Sequence, residues 1–212
     1  MEAIPRHQCL VYDGAPSLHL PALARVLRDK LQQNYRCLYM NSRPMVAGMQ
    51  SYLAMEGVEV ENVIRKRRLL LSWEQMHLVN GLFDVDKMLN TLSDALQSAL
   101  RDGYTGLWAT GDMSWEMGPE KNLPKLLDYE RRLDEFLEAH PRMGGVCQYR
   151  MDTMPRTAVQ QGLVAHRALF INETLSILNP QYLHPEMSSP SAVAQAEPEL
   201  ALRPIWERQS AV

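Results

Sequence analysis

The sequence predicts an α/β fold: a mostly parallel twisted sheet with helices on both faces, closed by a C-terminal β-hairpin. Three observations carry this. Short apolar runs alternate with longer segments of helical period, which is the pattern of successive βαβ units. Right-handed crossovers between such units make the strands parallel and lay helices on both faces. The last two β-rich runs follow one another directly and can pair as a hairpin.

Taken in order, Gln8–Tyr12 reads as the first strand and Asp13-Gly-Ala-Pro16 as the turn after it. From Leu18 to Gln33, apolar Leu20, Leu23, Ala24, Leu27 and Leu31 fall three and four apart, one face of an amphipathic helix. Arg36–Met40 is a second strand. Pro44 opens the next helix where its missing N–H costs nothing, and Gly57 closes it. Arg67–Ser72 is a third strand, and the irregular stretch from Trp73 to Gly81 reads as a loop or small hairpin. Asp84 caps a helix whose apolar positions run from Val85 to Leu100, and Gly103 stops it. Thr105–Thr110 is the fourth strand, Leu123–Ala139 a helix entered through Pro124, and Gly145–Tyr149 the fifth strand. A short helix over Pro155–Ala165 leads to the two hairpin runs, Ala168–Asn172 and Thr174–Leu178.

The 212 residues fit one domain, with residues 1–184 forming the folded unit. Residues 185–212 are rich in Pro, Ser and Ala and are expected to form a flexible tail without packed structure, apart from a docking segment over 200–206. Formal net charge is −3 with both signs interspersed, so no broad basic face exists to neutralise a nucleic-acid backbone. The run from Arg65 to Arg68 is a solvated helix end or strand entry. Cys9, Cys37 and Cys147 are odd in number, widely spaced and set in apolar segments, so reduced buried thiols are expected. The N-terminal residues have no signal-peptide core and no stretch approaches ~18 uninterrupted apolar residues, so a cytoplasmic protein with no membrane contact is expected.

A phosphate-binding loop belongs after the first strand of such a sheet. The turn here ends in neither Gly-Lys-Ser nor Gly-Lys-Thr, and Pro16 removes a backbone donor, which argues against ordinary NTP hydrolysis. The run from Gly103 to Glu116 ends abruptly in a glycine, a carboxylate and an aromatic, as ligand-contacting strand ends do. Together the strand ends offer Tyr12, Asp13, Asn41, Trp73, Glu74, Asp112, Trp115, Glu116, Gln148 and Tyr149, aromatic walls with a few polar groups. The four-residue spacing of Asp112 and Glu116 permits an acid/base pair, but no nucleophile accompanies it, so catalysis is not expected. His7 and Cys9 share one side of a strand; a metal site needs three or four ligands, and His77, Cys147 or His166 would have to be recruited by the fold. A hydrogen-bonded structural histidine, with no metal and no cofactor, is the expectation.

With these residues placed, the sequence resembles the MEDS domain, the sensory domain named after methanogens, methylotrophs and the dichloromethane-responsive regulator DcmR. The matching residues are His7-x-Cys-Leu-x-Tyr12, Tyr104-x-Gly-Leu-x-x-Thr-Gly-Asp-Met-Ser-Trp115, Leu127-x-Tyr-Glu130, Cys147-Gln-Tyr149 and Asn179-Pro-x-Tyr182. The resemblance implies a RecA/KaiC-like fold that has lost its nucleotide-hydrolysing loop and serves as a sensor of hydrocarbon derivatives. It makes His7, Tyr12, Asp112, Trp115, Tyr129, Glu130, Gln148 and Tyr149 the candidate ligand-binding positions. The family pattern often has Glu where Asp112 stands and an acidic residue where Arg150 stands, which leaves open a different ligand or none. Family members are often fused to an output module; none fits here, so the expected partners are a small molecule and a regulatory protein or a second copy. The expected function is a non-enzymatic sensory domain in prokaryotic signalling or transcriptional regulation. The alternatives are an interaction protein with a vestigial pocket and a degenerate nucleotide-binding protein.

Overall fold

The computed structural model describes residues 6–75, 77–118 and 122–202. Its main sheet has seven strands: β1 (His7–Tyr12), β2 (Arg36–Met40), β3 (Leu69–Ser72), β6 (Leu107–Asp112), β7 (Met143–Arg150), β8 (Ala168–Asn172) and β9 (Leu175–Leu178). Between β3 and β6, β4 (Leu78–Val79) and β5 (Leu82–Phe83) form a separate antiparallel hairpin. The spatial order is β3-β2-β6-β7-β1-β8-β9, with every pair parallel except β8 and β9. The predicted fold class is the observed one, terminal hairpin included. β1 inserts between β7 and β8, so His7 and Cys9, at the start of the chain, lie beside Gly145 and Cys147.

Helices cover both faces. α1 (Leu20–Gln32), α2 (Arg43–Met55) and α3 (Val60–Arg65) cover one, burying Leu23, Leu27, Met49 and Leu53 against Leu10, Tyr39 and Trp108 of the strands. α4 (Val85–Arg101), α6 (Leu126–Ala139) and α7 (Arg156–Ala165) cover the other, burying Leu92, Leu96, Leu133 and Leu163 against Val11, Leu38 and Leu169. Strand side chains alternate between these two cores because successive Cβ atoms point to opposite faces. The intervening α5 (Met113–Glu116) is a single turn capped by Asp112.

Two differences from the sequence reading have local causes. Gly57 does close α2, but α3 follows before the third strand; its six residues are too few to show a helical period. The stretch from Trp73 to Gly81, read as a loop or small hairpin, does enter a hairpin, β4–β5, where Asn80 and Gly81 both take positive φ (53° and 80°), the geometry a two-residue type I′ turn demands. The second difference concerns the segment after His184, expected to lack packed structure. α8 (Pro190–Ala194) and α9 (Pro198–Leu202) form there, each started by a proline, and Ser189 caps the first. Val193 and Ala196 are buried in the core beside α7, and Gln160 Nε2 donates to the carbonyls of Ala194 (3.0 Å) and Ala196 (2.8 Å). Residues 203–206 of the expected docking segment lie outside the described residues.

Candidate functional site

Strand alternation divides the candidate residues between the two faces. Tyr12, Asp112 and Gln148 point toward α1. The β6–β7 register sets Asp112 opposite Gln148, and the Tyr12 hydroxyl donates to Asp112 Oδ2 at 3.1 Å. The other carboxylate oxygen accepts the backbone N–H of Trp115 at 3.0 Å and the Ser114 hydroxyl, so Asp112 is an N-cap for α5. Gln148 Nε2 donates to Thr110 Oγ1 (2.9 Å), which in turn donates to the Val146 carbonyl (2.7 Å), tying β6 to β7.

His7, Tyr129, Glu130 and Tyr149 belong to the opposite face. Gln148 and Tyr149 are adjacent in one strand, so their side chains cannot share a side. The expected meeting of Tyr12, Asp112, Trp115 and Tyr149 around one pocket is therefore corrected: Tyr12 and Asp112 bond to each other, while Tyr149 bonds across the sheet's other face. Trp115 is half-buried at the hairpin, edge-on to His77 with ring centroids 5.9 Å apart.

The residues under α6 form a closed polar cluster. Glu130 has no exposed surface, and its Oε1 accepts the Tyr149 hydroxyl. Its Oε2 faces His7 Nε2 at 3.2 Å, His166 Nε2 at 3.5 Å and Cys147 Sγ at 3.7 Å. One turn along α6, Asp134 Oδ1 stands 3.2 Å from His7 Nδ1; spacing of four places both carboxylates on the same helix face. His166 Nδ1 lies 2.7 Å from the Gly162 carbonyl, which can only accept, so the proton sits on Nδ1. Its Nε2 is buried without a hydrogen-bond partner. The Tyr149 ring rests on Gly162, where an added Cβ would come within 2.3 Å of it.

Burial and charge act against each other here. Burial alone would lower the His7 pKa, but the carboxylates of Asp134 and Glu130 hold it above its ordinary value. Burial would raise Glu130, but His166, His7 and the Tyr149 hydroxyl bring it below the usual carboxylate range. His166 is lowered to about 4, by burial and then by repulsion from His7, so it is neutral at pH 7. Burial and the Glu130 charge push the Cys147 thiol well up. The two carboxylates thus favour the protonated form of His7, beside a neutral His166 imidazole and a protonated Cys147 thiol.

Next to this cluster, a cavity of about 30 Å³ separates β6 and β7 from α4 and α6. Its walls include Leu92, Ala109, Leu133 and Met143, with His7, Thr110, Glu116, Tyr129 and Cys147 as the polar residues. Glu116 reaches it because Gly111 has no side chain: a Cβ there would overlap the Glu116 carboxyl. Burial, then the nearby Glu130 and Asp112 charges, raise the Glu116 pKa well above its ordinary value. Tyr129 packs edge-on against Phe83, 5.1 Å between centroids, and stands apart from the hydrogen-bonded cluster. Sequence reasoning missed Asp134 altogether, although it lies one helical turn from Glu130; it held Cys147 and His166 only as residues the fold would have to recruit. All three cysteines are free and buried, as expected.

The family model for MEDS, the methanogen/methylotroph, DcmR sensory domain, matches residues 6–167. Among solved structures, an uncharacterised protein of Pyrococcus horikoshii, crystallised with an unknown peptide, is similar at a TM-score of 0.60 and 14% identity, over 79% of this chain and 77% of that one. A KaiC-like protein from Pyrococcus horikoshii OT3 is similar at a TM-score of 0.51 and 10% identity, over 78% of this chain and 70% of that one. At these identities the likeness is one of fold. No curated protein matches the chain.

Proposed function

The chain belongs to the MEDS family of sensory domains, and from that premise we propose that it is a non-enzymatic sensor in prokaryotic signalling that binds a very small hydrocarbon derivative in the cavity under α6. The cavity carries this reading. It is lined mostly by apolar residues, with His7, Thr110, Glu116, Tyr129 and Cys147 as the polar ones, the composition of a small-ligand site. Its volume of about 30 Å³ is far below the ~150 Å³ of an apolar protein cavity that takes benzene, so the occupant has only a few heavy atoms. A neutral Glu116 carboxyl offers that occupant one donor without a charge to solvate. The turn after β1 supports a non-hydrolytic role: Gly14 takes φ of 80°, and Pro16, which has no N–H, starts a four-residue 3-10 helix where a phosphate cradle would need donors. No helix among the described residues is long and apolar enough to cross a membrane. Output then passes through a regulatory partner or a second copy.

The test is methyl-resolved NMR against a panel of one- to three-carbon alcohols, aldehydes and halocarbons. At least one class should shift the Leu92 and Leu133 methyl signals, and Leu133→Phe, which fills the cavity, should abolish the shift. A panel that leaves those signals unmoved refutes the cavity as the ligand site.

A further inference from the structure

We propose that His7, Glu130, Cys147 and His166 form a four-coordinate site for a divalent transition metal of the zinc class. The four donor atoms, His7 Nε2, Glu130 Oε2, Cys147 Sγ and His166 Nε2, all lie within 4.8 Å of one another. Four of the six separations are known closely: 3.2 Å from His7 to Glu130, 3.5 Å from His166 to Glu130, and 3.7 Å from Cys147 to each of Glu130 and His7. A tetrahedral zinc with bonds of about 2.0 Å to N and O and about 2.3 Å to S has donor–donor edges of roughly 3.3–3.6 Å. The donors therefore already stand close to the corners of such a tetrahedron.

Two further observations point to a cation. Both histidines have their second nitrogen held as metal-binding histidines do: His7 Nδ1 by the Asp134 carboxylate at 3.2 Å, His166 Nδ1 by the Gly162 carbonyl at 2.7 Å. With its proton fixed on Nδ1, His166 turns the lone pair of a fully buried, unpartnered Nε2 toward the lone pairs of Glu130 Oε2. Two buried acceptors facing each other repel, and a metal ion between them removes the conflict. The fourth feature is the donor set. One thiolate, two imidazoles and one carboxylate match zinc in softness and are a poor fit to magnesium or calcium, which take oxygen. Binding releases the Cys147 thiol proton, and the Nε2 proton of whatever fraction of His7 is protonated, to solvent, leaving two neutral imidazoles and two anionic ligands to balance the dication. The ligands come from β1, α6, β7 and the turn before β8, so the ion clamps three adjacent strands to the helix above them. Glu130 Oε1 stays with Tyr149, which fixes the carboxylate rotation.

The proposal does not depend on a ligand in the neighbouring cavity, and its test reads metal alone. The full chain is stripped with chelator and titrated with Co²⁺, then with Zn²⁺. About one Co²⁺ per chain should bind with a thiolate-to-cobalt charge-transfer band, and Zn²⁺ should displace it and raise the unfolding temperature. Cys147→Ser should lose the band, whereas Cys9→Ser and Cys37→Ser should keep it. Asp134→Asn should keep the band but weaken affinity about 10–100-fold, as loss of a supporting carboxylate does. No uptake by the wild-type chain, or a thiolate band surviving in Cys147→Ser, overturns the site. If Cys147→Ser fails to fold, Asp134→Asn decides, and unchanged affinity there overturns it.

Discussion

Replacing Tyr149 by Phe removes one oxygen and leaves the ring, so it isolates the hydrogen bond that the phenol donates to Glu130 Oε1. Both residues have no exposed surface, so water cannot replace the donor. The ring cannot shift to compensate, because it is seated against Gly162. A hydrogen bond to a charged group contributes about 1.5–3 kcal/mol, roughly twice a neutral one. In a chain of this size each kcal/mol moves Tm by about 2–4 °C, which sets the expected loss at roughly 3–12 °C. Tyr39→Phe provides the internal comparison. That hydroxyl is buried too but accepts from the neutral amide of Asn41 at 3.2 Å, so its loss should cost about 0.5–1.5 kcal/mol. The assay is urea unfolding of the chelator-treated chain followed by circular dichroism, with matched slopes as evidence that the unfolded states are comparable. A Tyr149→Phe variant no less stable than Tyr39→Phe would show that Glu130 is not held as an anion by this donor, and the charge assignment of the cluster would fall with it.

Two further outcomes follow from groups outside that cluster. Glu116 has a folded pKa raised above its ordinary 4.5; above that pH the unfolded chain ionises while the folded one stays neutral, so stability falls with rising pH by up to ~1.4 kcal/mol per unit. Glu116→Gln should remove that slope, so that the variant gains on the wild type between about pH 5 and 7; a pH-independent difference in urea midpoints counts against a neutral buried carboxyl. Deleting residues 189–212 uncovers the α7 surface under Val193 and leaves the Gln160 amide without its two carbonyl partners. The loss should be at least ~2 kcal/mol, from one buried aliphatic side chain and one unsatisfied polar group, and an unchanged thermal midpoint would mean that this segment does not contribute to the core.

Much of the architecture was legible from one dimension. Strands buried on both faces must be apolar throughout, and helices covering them must be apolar on one side, so the alternation of the two patterns located every long element to within a few residues. The same rule named the core positions of α1 and α4, and the apolar setting of Cys9, Cys37 and Cys147 foretold three buried thiols. Proline was less informative near the C-terminus: there the prolines start short helices, and a segment read as flexible from its composition packs on α7 through Val193 and Ala196.

The candidate site was legible as a set of residues and not as an arrangement. Period-two alternation says that Gln148 and Tyr149 face opposite ways, which is enough to forbid a pocket that uses both, but it does not say which helix lies over which face. Strand order is likewise absent from local pattern. Only the insertion of β1 between β7 and β8 sets His7 beside Cys147, and only the packing of α6 over those strands lowers Glu130 and Asp134 onto them. Local sequence therefore determined the elements and their buried faces, because burial acts residue by residue along each element. The tertiary structure decided which titratable groups meet, because contacts between residues more than a hundred positions apart depend on crossover and register, which no short stretch of the chain encodes.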